Sequence, residues 1–208
     1  MIFYDYYSDV PKVVLQQFVT EQQLGRLVTV SDSGQPHIGL YPFLFLGATI
    51  EMHLHRKDEQ LADLWTHSKS VFEVDEILGT IPSHWIHPTN AAFATAYYRS
   101  AIFECDASVS EDPKIIAEHQ QRLMMHYQPE GGYETVNSQH HAMYHGSLNT
   151  IAAITLTIRE CKVKWKLAQN RDRETRAMII QNLRERGQPT DAEAADALQW
   201  TLDHEASK

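Results

Sequence analysis

The sequence predicts an α+β fold in which six or so antiparallel strands form a barrel and helices flank it. Three observations lead there. Apolar and polar residues alternate in short runs from Leu27 to His55, separated by tight turns at Asp32-Ser33-Gly34 and Gly47-Ala48, and consecutive hairpins make an antiparallel meander. Stripes of 3.6-residue period fall between groups of strands rather than after every strand. No G-x-G-x-x-G and no P-loop occurs, so a parallel nucleotide-binding sheet is not indicated.

In chain order, Asp9-Val10-Pro11 reads as a helix entry, and Val14, Leu15, Phe18 and Val19 give one apolar stripe that ends near Leu24-Gly25. Strands follow at 27–30, 37–45 and 50–55. A short helix over 58–67 turns Leu61, Leu64 and Trp65 inward; a strand at 70–75, a segment at 81–86 and a long strand at 93–109 come next. Asp112-Pro113 opens a helix carrying Ile116, Leu123 and Tyr127 on one side. From Gln128 to Gly146 periodicity fails, which marks a long loop. Strand alternation resumes at 150–157 and leads into Val163, Trp165 and Leu167. Beyond Arg171, Met178, Ile179, Ile180 and Leu183 mark a helix ending at Gly187-Gln188-Pro189, and Thr190-Asp-Ala-Glu193 reads as a capping box for a last one.

A chain of 208 residues is long enough for a sizeable core, and its formal charge of −9 argues against general affinity for nucleic acid or acidic lipid. The charge is uneven: nine Lys/Arg face four acids between Arg159 and Arg186, leaving a local basic segment of +5. Two cysteines, Cys105 and Cys161, make no disulfide framework and no metal knuckle. The start lacks a positive n-region, and the longest apolar run is too short to span a bilayer, so the expected location is the cytoplasm, away from membranes.

Three constellations carry chemistry, each beside a plainer reading. His53-Leu-His55-Arg56-Lys57 places two cations where a strand gives way to a helix, a seat for phosphate or a basic surface turn. Ser83 and Trp85, in Thr80-Ile-Pro-Ser-His-Trp85, offer a hydroxyl and a stacking face, or a core tryptophan. The Gln169-Asn170-Arg171 set at a strand end suits a planar heteroaromatic ring or an anion, or is a solvated strand end. His140, His141 and His145 include one pair at helical metal-ligand spacing, with no third ligand near, so no metal site is assigned.

These residues together resemble the PaiB-type family, the FMN-binding negative transcriptional regulators built on the FMN-binding split barrel. Lys164-Trp-Lys-Leu-Ala-Gln-Asn-Arg171 is similar to the family's K-x-K-L-S-Q-N-R, with Ala168 where Ser is usual, and the following helix through Leu183-Arg-Glu-Arg-Gly187 matches as well. Thr80–Trp85 is similar to Y-I-S-P-S-W-Y, and His53–Arg56 to a strand ending in H-x-A-R. The family's P-T-W-N-Y stands here as Ala94-Thr-Ala-Tyr-Tyr98, which keeps Thr95 and Tyr98 and loses the Trp and Asn.

The resemblance implies a six-stranded split β-barrel over 1–170 and a C-terminal helical extension over 171–208. It implies FMN as cofactor, with phosphate at Arg56 and Lys57 near His53 and His55, the ring edge at Gln169 and Asn170, and Trp85 with Ser83 as wall. Lys166 or Arg171 would then place positive charge toward a reduced flavin. It further implies a homodimer with the site at the subunit interface, and a redox or sensory function linked to negative transcriptional regulation, with FMN-dependent oxidoreductase activity left open. Two alternatives stay beside it: a repressor that binds DNA directly through the basic segment, and a haem-binding split barrel suggested by the chain's histidines.

Overall fold

The computed structural model describes residues 2–137 and 141–205, and only the backbone of His141. Among them are seven strands, β1 (Leu24–Val30), β2 (Pro36–Pro42), β3 (Leu44–Phe45), β4 (Thr49–His55), β5 (Lys69–Ile81), β6 (Thr95–Ser110) and β7 (Ile151–Lys166). The helices are α1 (Asp5–Ser8), α2 (Lys12–Glu21), α3 (Glu59–Thr66), α4 (Pro113–Tyr127), α5 (His141–Leu148), α6 (Arg173–Arg186) and α7 (Asp191–Asp203).

The antiparallel α+β character stands, and the strand count is corrected from six to seven. The alternation from His37 to Phe45 reads as one strand, yet Phe43 leaves the ladder. Its ring is 1% exposed, 5.0 Å from that of Phe72. The Tyr127 hydroxyl takes over its backbone, accepting from the Phe43 N–H at 3.0 Å and lying 2.8 Å from its carbonyl. The segment expected at 81–86 is not a separate strand either. β5 runs unbroken to Ile81, Pro82 has no N–H to continue the ladder, and Ser83–Trp85 close into a 3₁₀ turn.

Two compact units share the chain. One comprises 12–74 and 102–161 and holds β1 to β4 with part of β5, β6 and β7, in a sheet of order β2-β1-β5-β6-β7-β4-β3. β1 and β2 pair from Leu24↔Pro42 to Val30↔Pro36, and β4 and β7 from Thr49↔Thr157 to His55↔Ile151, all antiparallel. Leu27, Ile50, Met52, Leu54, Phe72 and Ile154 are buried beneath it, each worth roughly 1.5–3 kcal/mol. α3 is drawn onto β1 and β2 by Gln60, whose Nε2 donates to the Leu27 carbonyl at 2.9 Å while its Oε1 lies 2.7 Å from the Tyr41 hydroxyl. Gly39 permits that approach: a Cβ there would sit 2.2 Å from Gln60 Oε1. So the corner before α3, Arg56-Lys57, is held from behind by a buried amide.

The other unit comprises 1–11, 75–101 and 162–208. Its helical hairpin buries Ile179, Ile180 and Leu183 of α6 with Ala194, Leu198 and Leu202 of α7, and Trp165 meets Trp200 edge-on at 5.4 Å. Asp172 caps α6 by accepting from the Thr175 N–H at 2.7 Å, and Gly187 ends it in the left-handed conformation, φ 63°. The capping box read at Thr190 is not formed, because Thr190 is not extended and makes no side-chain cap. Asp191 stabilises the turn instead: it is 1% exposed, accepts from the Gln188 N–H at 2.9 Å, and pairs with Arg186.

Candidate functional site

β7 ends in a turn whose geometry sends neighbouring side chains to different places. Ala168 has φ 63°, a left-handed conformation that costs a non-glycine residue on the order of 1 kcal/mol. Gln169 braces that bend. Its Oε1 accepts from the Leu167 N–H at 2.7 Å and its Nε2 donates to the Trp165 carbonyl at 2.6 Å. The Gln169 amide is thus engaged with its own backbone, while Asn170 stays exposed and lines a cavity.

That cavity, about 210 Å³, is lined by Tyr7, Phe93, Thr95, Tyr97, Lys166 and Arg171 besides Asn170. Tyr97 is 1% exposed and its hydroxyl has no hydrogen-bond partner among the described residues, a costly state for a buried donor. Burial pushes the Tyr97 phenol well above its ordinary pKa, so it stays protonated as a donor. Lys166 hydrogen-bonds Thr95 through Nζ, and burial, with Lys164 nearby, draws its ammonium pKa down. The Arg171 guanidinium lies 4.8 Å from the centre of the Phe93 ring. Among the described residues no Asp or Glu lines the cavity. Such a wall of donors and cations suits the acceptor edge of a flat, electron-rich ligand.

Lys166, Asn170 and Arg171 were legible in the sequence and meet here; Tyr7, Phe93, Thr95 and Tyr97 were not singled out as ligands. Strand alternation carried a signal for two of them, since Thr95 and Tyr97 are two apart and share a face.

The basic corner belongs to the other unit. Arg56 donates through Nε to the Ile151 carbonyl at 3.3 Å and pairs with Glu111 at 3.1 Å, both side chains well exposed. Lys57 is exposed; its N–H is 3.1 Å from His55 Nδ1. Asp58 caps α3 by accepting from the Gln60 N–H. His53 is part-buried against the Gln120 amide at 2.8 Å, and burial lowers its pKa.

Ser83 and Trp85 share the 3₁₀ turn, and Trp85 receives Arg186 on its ring at 4.9 Å. Of the histidine group, His140 and the His141 side chain lie outside the described residues, and the exposed His145 ring has the Asn149 amide within 3.1 Å. Among the described residues no cluster of three or more His, Cys, Asp or Glu is arranged to hold a metal ion. No helix of the described residues is long and apolar enough to cross a membrane. The basic segment is largely neutralised from within: Arg159 pairs with Asp106, Arg173 and Arg176 with Glu205, Arg184 with Asp196, and Arg186 with Asp191.

Three solved structures share the fold. The flavocytochrome Anf3 from Azotobacter vinelandii superposes with TM-score 0.65 at 15% identity, covering 85% of this chain and 78% of that one. The FAD and heme binding protein from Mycobacterium smegmatis gives TM-score 0.61 at 16% identity, covering 77% and 73%. A conserved hypothetical protein from Mycobacterium tuberculosis, Rv2991, gives 0.58 at 17%, covering 78% and 89%. Identities this low speak for the fold alone. No curated protein matches the chain in sequence. A family model, FMN_bind_2, described as "Putative FMN-binding domain", matches residues 1–160, and so stops short of the Lys164–Arg171 stretch.

Proposed function

The chain belongs to the FMN_bind_2 family, and from that membership we propose that it works as a homodimeric, PaiB-type split-barrel flavoprotein with a redox or sensory role. Its cofactor is FMN or a closely related flavin. The observation that carries the reading is the cavity around Tyr97, lined by cations and donors and by no described acid, whose buried hydroxyl lacks an acceptor that a flavin carbonyl would provide. At about 210 Å³ the cavity is smaller than the roughly 300–1,000 Å³ of sites that enclose a whole ligand, so it suits a ring edge and not all of FMN.

The remaining groups divide the work. Asn170 donates and accepts along the ring edge, and Lys166 and Arg171 stabilise negative charge there without needing to move. Gln169 acts as a brace of the turn, and Trp85 and Ser83 form a neighbouring wall. Arg56 and Lys57 of a second copy, beside His53 and His55, hold the phosphate. The exposed Arg56–Glu111 pair is worth only about 0–1 kcal/mol, so a phosphate able to take two charge-assisted bonds displaces Glu111 at small cost. When bound, the flavin supplies the electron-transfer chemistry; the chain supplies orientation and charge.

Support for a second copy comes from the sheet. The outer face of β1 and β2 presents Leu24, Val30, Ile38 and Leu40, at 46, 45, 69 and 54% exposure, where a solvated sheet face is ordinarily polar. Direct repression through DNA has less behind it, because the chain as a whole carries a formal charge of −9, which opposes a polyanionic partner. A haem site finds no favouring observation either, with His53 engaged to Gln120.

The test is direct: purified protein should be yellow or quench FMN fluorescence to saturation at one flavin per chain. A colourless protein that leaves added FMN fluorescence unchanged sinks the reading.

A further inference from the structure

The unit that holds the Tyr97 cavity contains a second one, of about 230 Å³, with Tyr6, Gln169, Arg176, Trp200, Thr201 and Glu205 in its lining. Arg176 is 2% exposed, which is rare for an arginine unless every donor is matched. Here they are not. Nη1 donates to Thr201 Oγ1 at 3.2 Å, and Nη2 reaches Glu205, but Nε–H has no acceptor among the described residues.

Nε and the adjacent Nη form the guanidinium edge that grips a carboxylate with two parallel hydrogen bonds. Glu205 uses only one of them. It is also shared with Arg173, 3.6 Å away, and it sits two residues past the end of α7 with its side chain 37% exposed. Thr201 fixes the opposite side of the guanidinium, so the half-used edge is held in place. The walls are aromatic: Trp200, with His204 stacked on it at 4.7 Å, and Tyr6. Asp9 is the other acid of the lining; it is exposed, and salt screens it.

We propose that this cavity is a receptor site for a small organic carboxylate with a flat apolar body, and that Glu205 is its built-in competitor. The incoming carboxylate takes Nε and Nη2 of Arg176 together, its body lies against Trp200, and Glu205 is released. This site is separate from the flavin reading and stands without it.

Benzoate is the probe, titrated calorimetrically into the full chain, with acetate as the control that lacks a flat body. A site occupied by its own side chain about nine-tenths of the time binds about tenfold more weakly than a free one. Glu205→Gln should therefore tighten benzoate binding by about that factor, acetate should bind more weakly than benzoate, and Arg176→Lys should abolish the tight binding. Equal benzoate affinity in the wild type and Glu205→Gln, or no binding to Glu205→Gln, overturns the proposal. Glu205→Gln alone decides the matter should Arg176→Lys fail to fold. An ion pair that merely ties down the residues just after α7 would predict lower stability in Glu205→Gln and no change in benzoate affinity.

Discussion

Nδ1 of His37 lies 2.8 Å from Oδ2 of the buried Asp63, the same oxygen that accepts from the Thr29 hydroxyl at 2.6 Å. That hydrogen bond is the main reason the His37 pKa is raised above its ordinary 6.5, against the opposing effect of burial. A raised folded-state value means that the His37 contribution is fully present below the unfolded pKa and is lost as pH climbs through the folded one. His53 and His119 have lowered values and act in the opposite sense, losing stability as pH falls below about 6.5. Urea unfolding at about pH 6 and about pH 8.5 separates them. The stability advantage of the wild type over His37→Gln should shrink at the higher pH, and an advantage independent of pH would contradict the assignment.

Tyr97→Phe should have two effects of opposite sign. Removing a hydroxyl that is buried without a partner raises ligand-free stability by on the order of 1 kcal/mol. If the same hydroxyl bonds the flavin, its loss weakens FMN binding by about tenfold. Thermal melting with and without FMN, beside fluorescence titration, reads both. A variant that is both less stable and unchanged in affinity would show that Tyr97 is ordinary core.

Arg56→Ala with Lys57→Ala tests the phosphate seat by chemistry. Each charge-assisted bond contributes about 1.5–3 kcal/mol, so FMN affinity should fall by at least about tenfold. Riboflavin, which has no phosphate, should bind the variant and the wild type alike. A parallel loss for both ligands would place the phosphate elsewhere.

Ile38→Glu introduces a charge on the outer sheet face at a side chain already 69% exposed, so the folded chain itself should lose little stability. If that face joins two copies, light scattering on a size-exclusion column should show a monomer where the wild type is a dimer. FMN affinity should fall with it if the site needs both copies.

The longer helices and most strands were readable because their periods are strong, as in Val14, Leu15, Phe18 and Val19 or the β1–β2 hairpin, whereas the short α1 and α5, the latter begun inside the 128–146 stretch read as a loop, were not. Breaks made by distant side chains were not. Nothing local to Phe43 announces that Tyr127, far along the chain, will take its backbone from the ladder. Chemistry at the end of β7 was visible in Lys166, Asn170 and Arg171, which do line one cavity. The difference between Gln169 and Asn170 was not resolvable from residue type. It depends on the φ of Ala168, and alanine carries no hint of a left-handed turn.

That turn has a further consequence. Gln169 and Asn170 are consecutive, yet one lines the cavity of Arg176 and the other the cavity of Tyr97. The two chambers therefore have a hinge pin in common, and its left-handed residue has no side chain beyond a methyl group with which to absorb displacement. A guest that drew Gln169 off the Trp165 carbonyl would remove one of the two bonds that brace the bend ahead of Asn170.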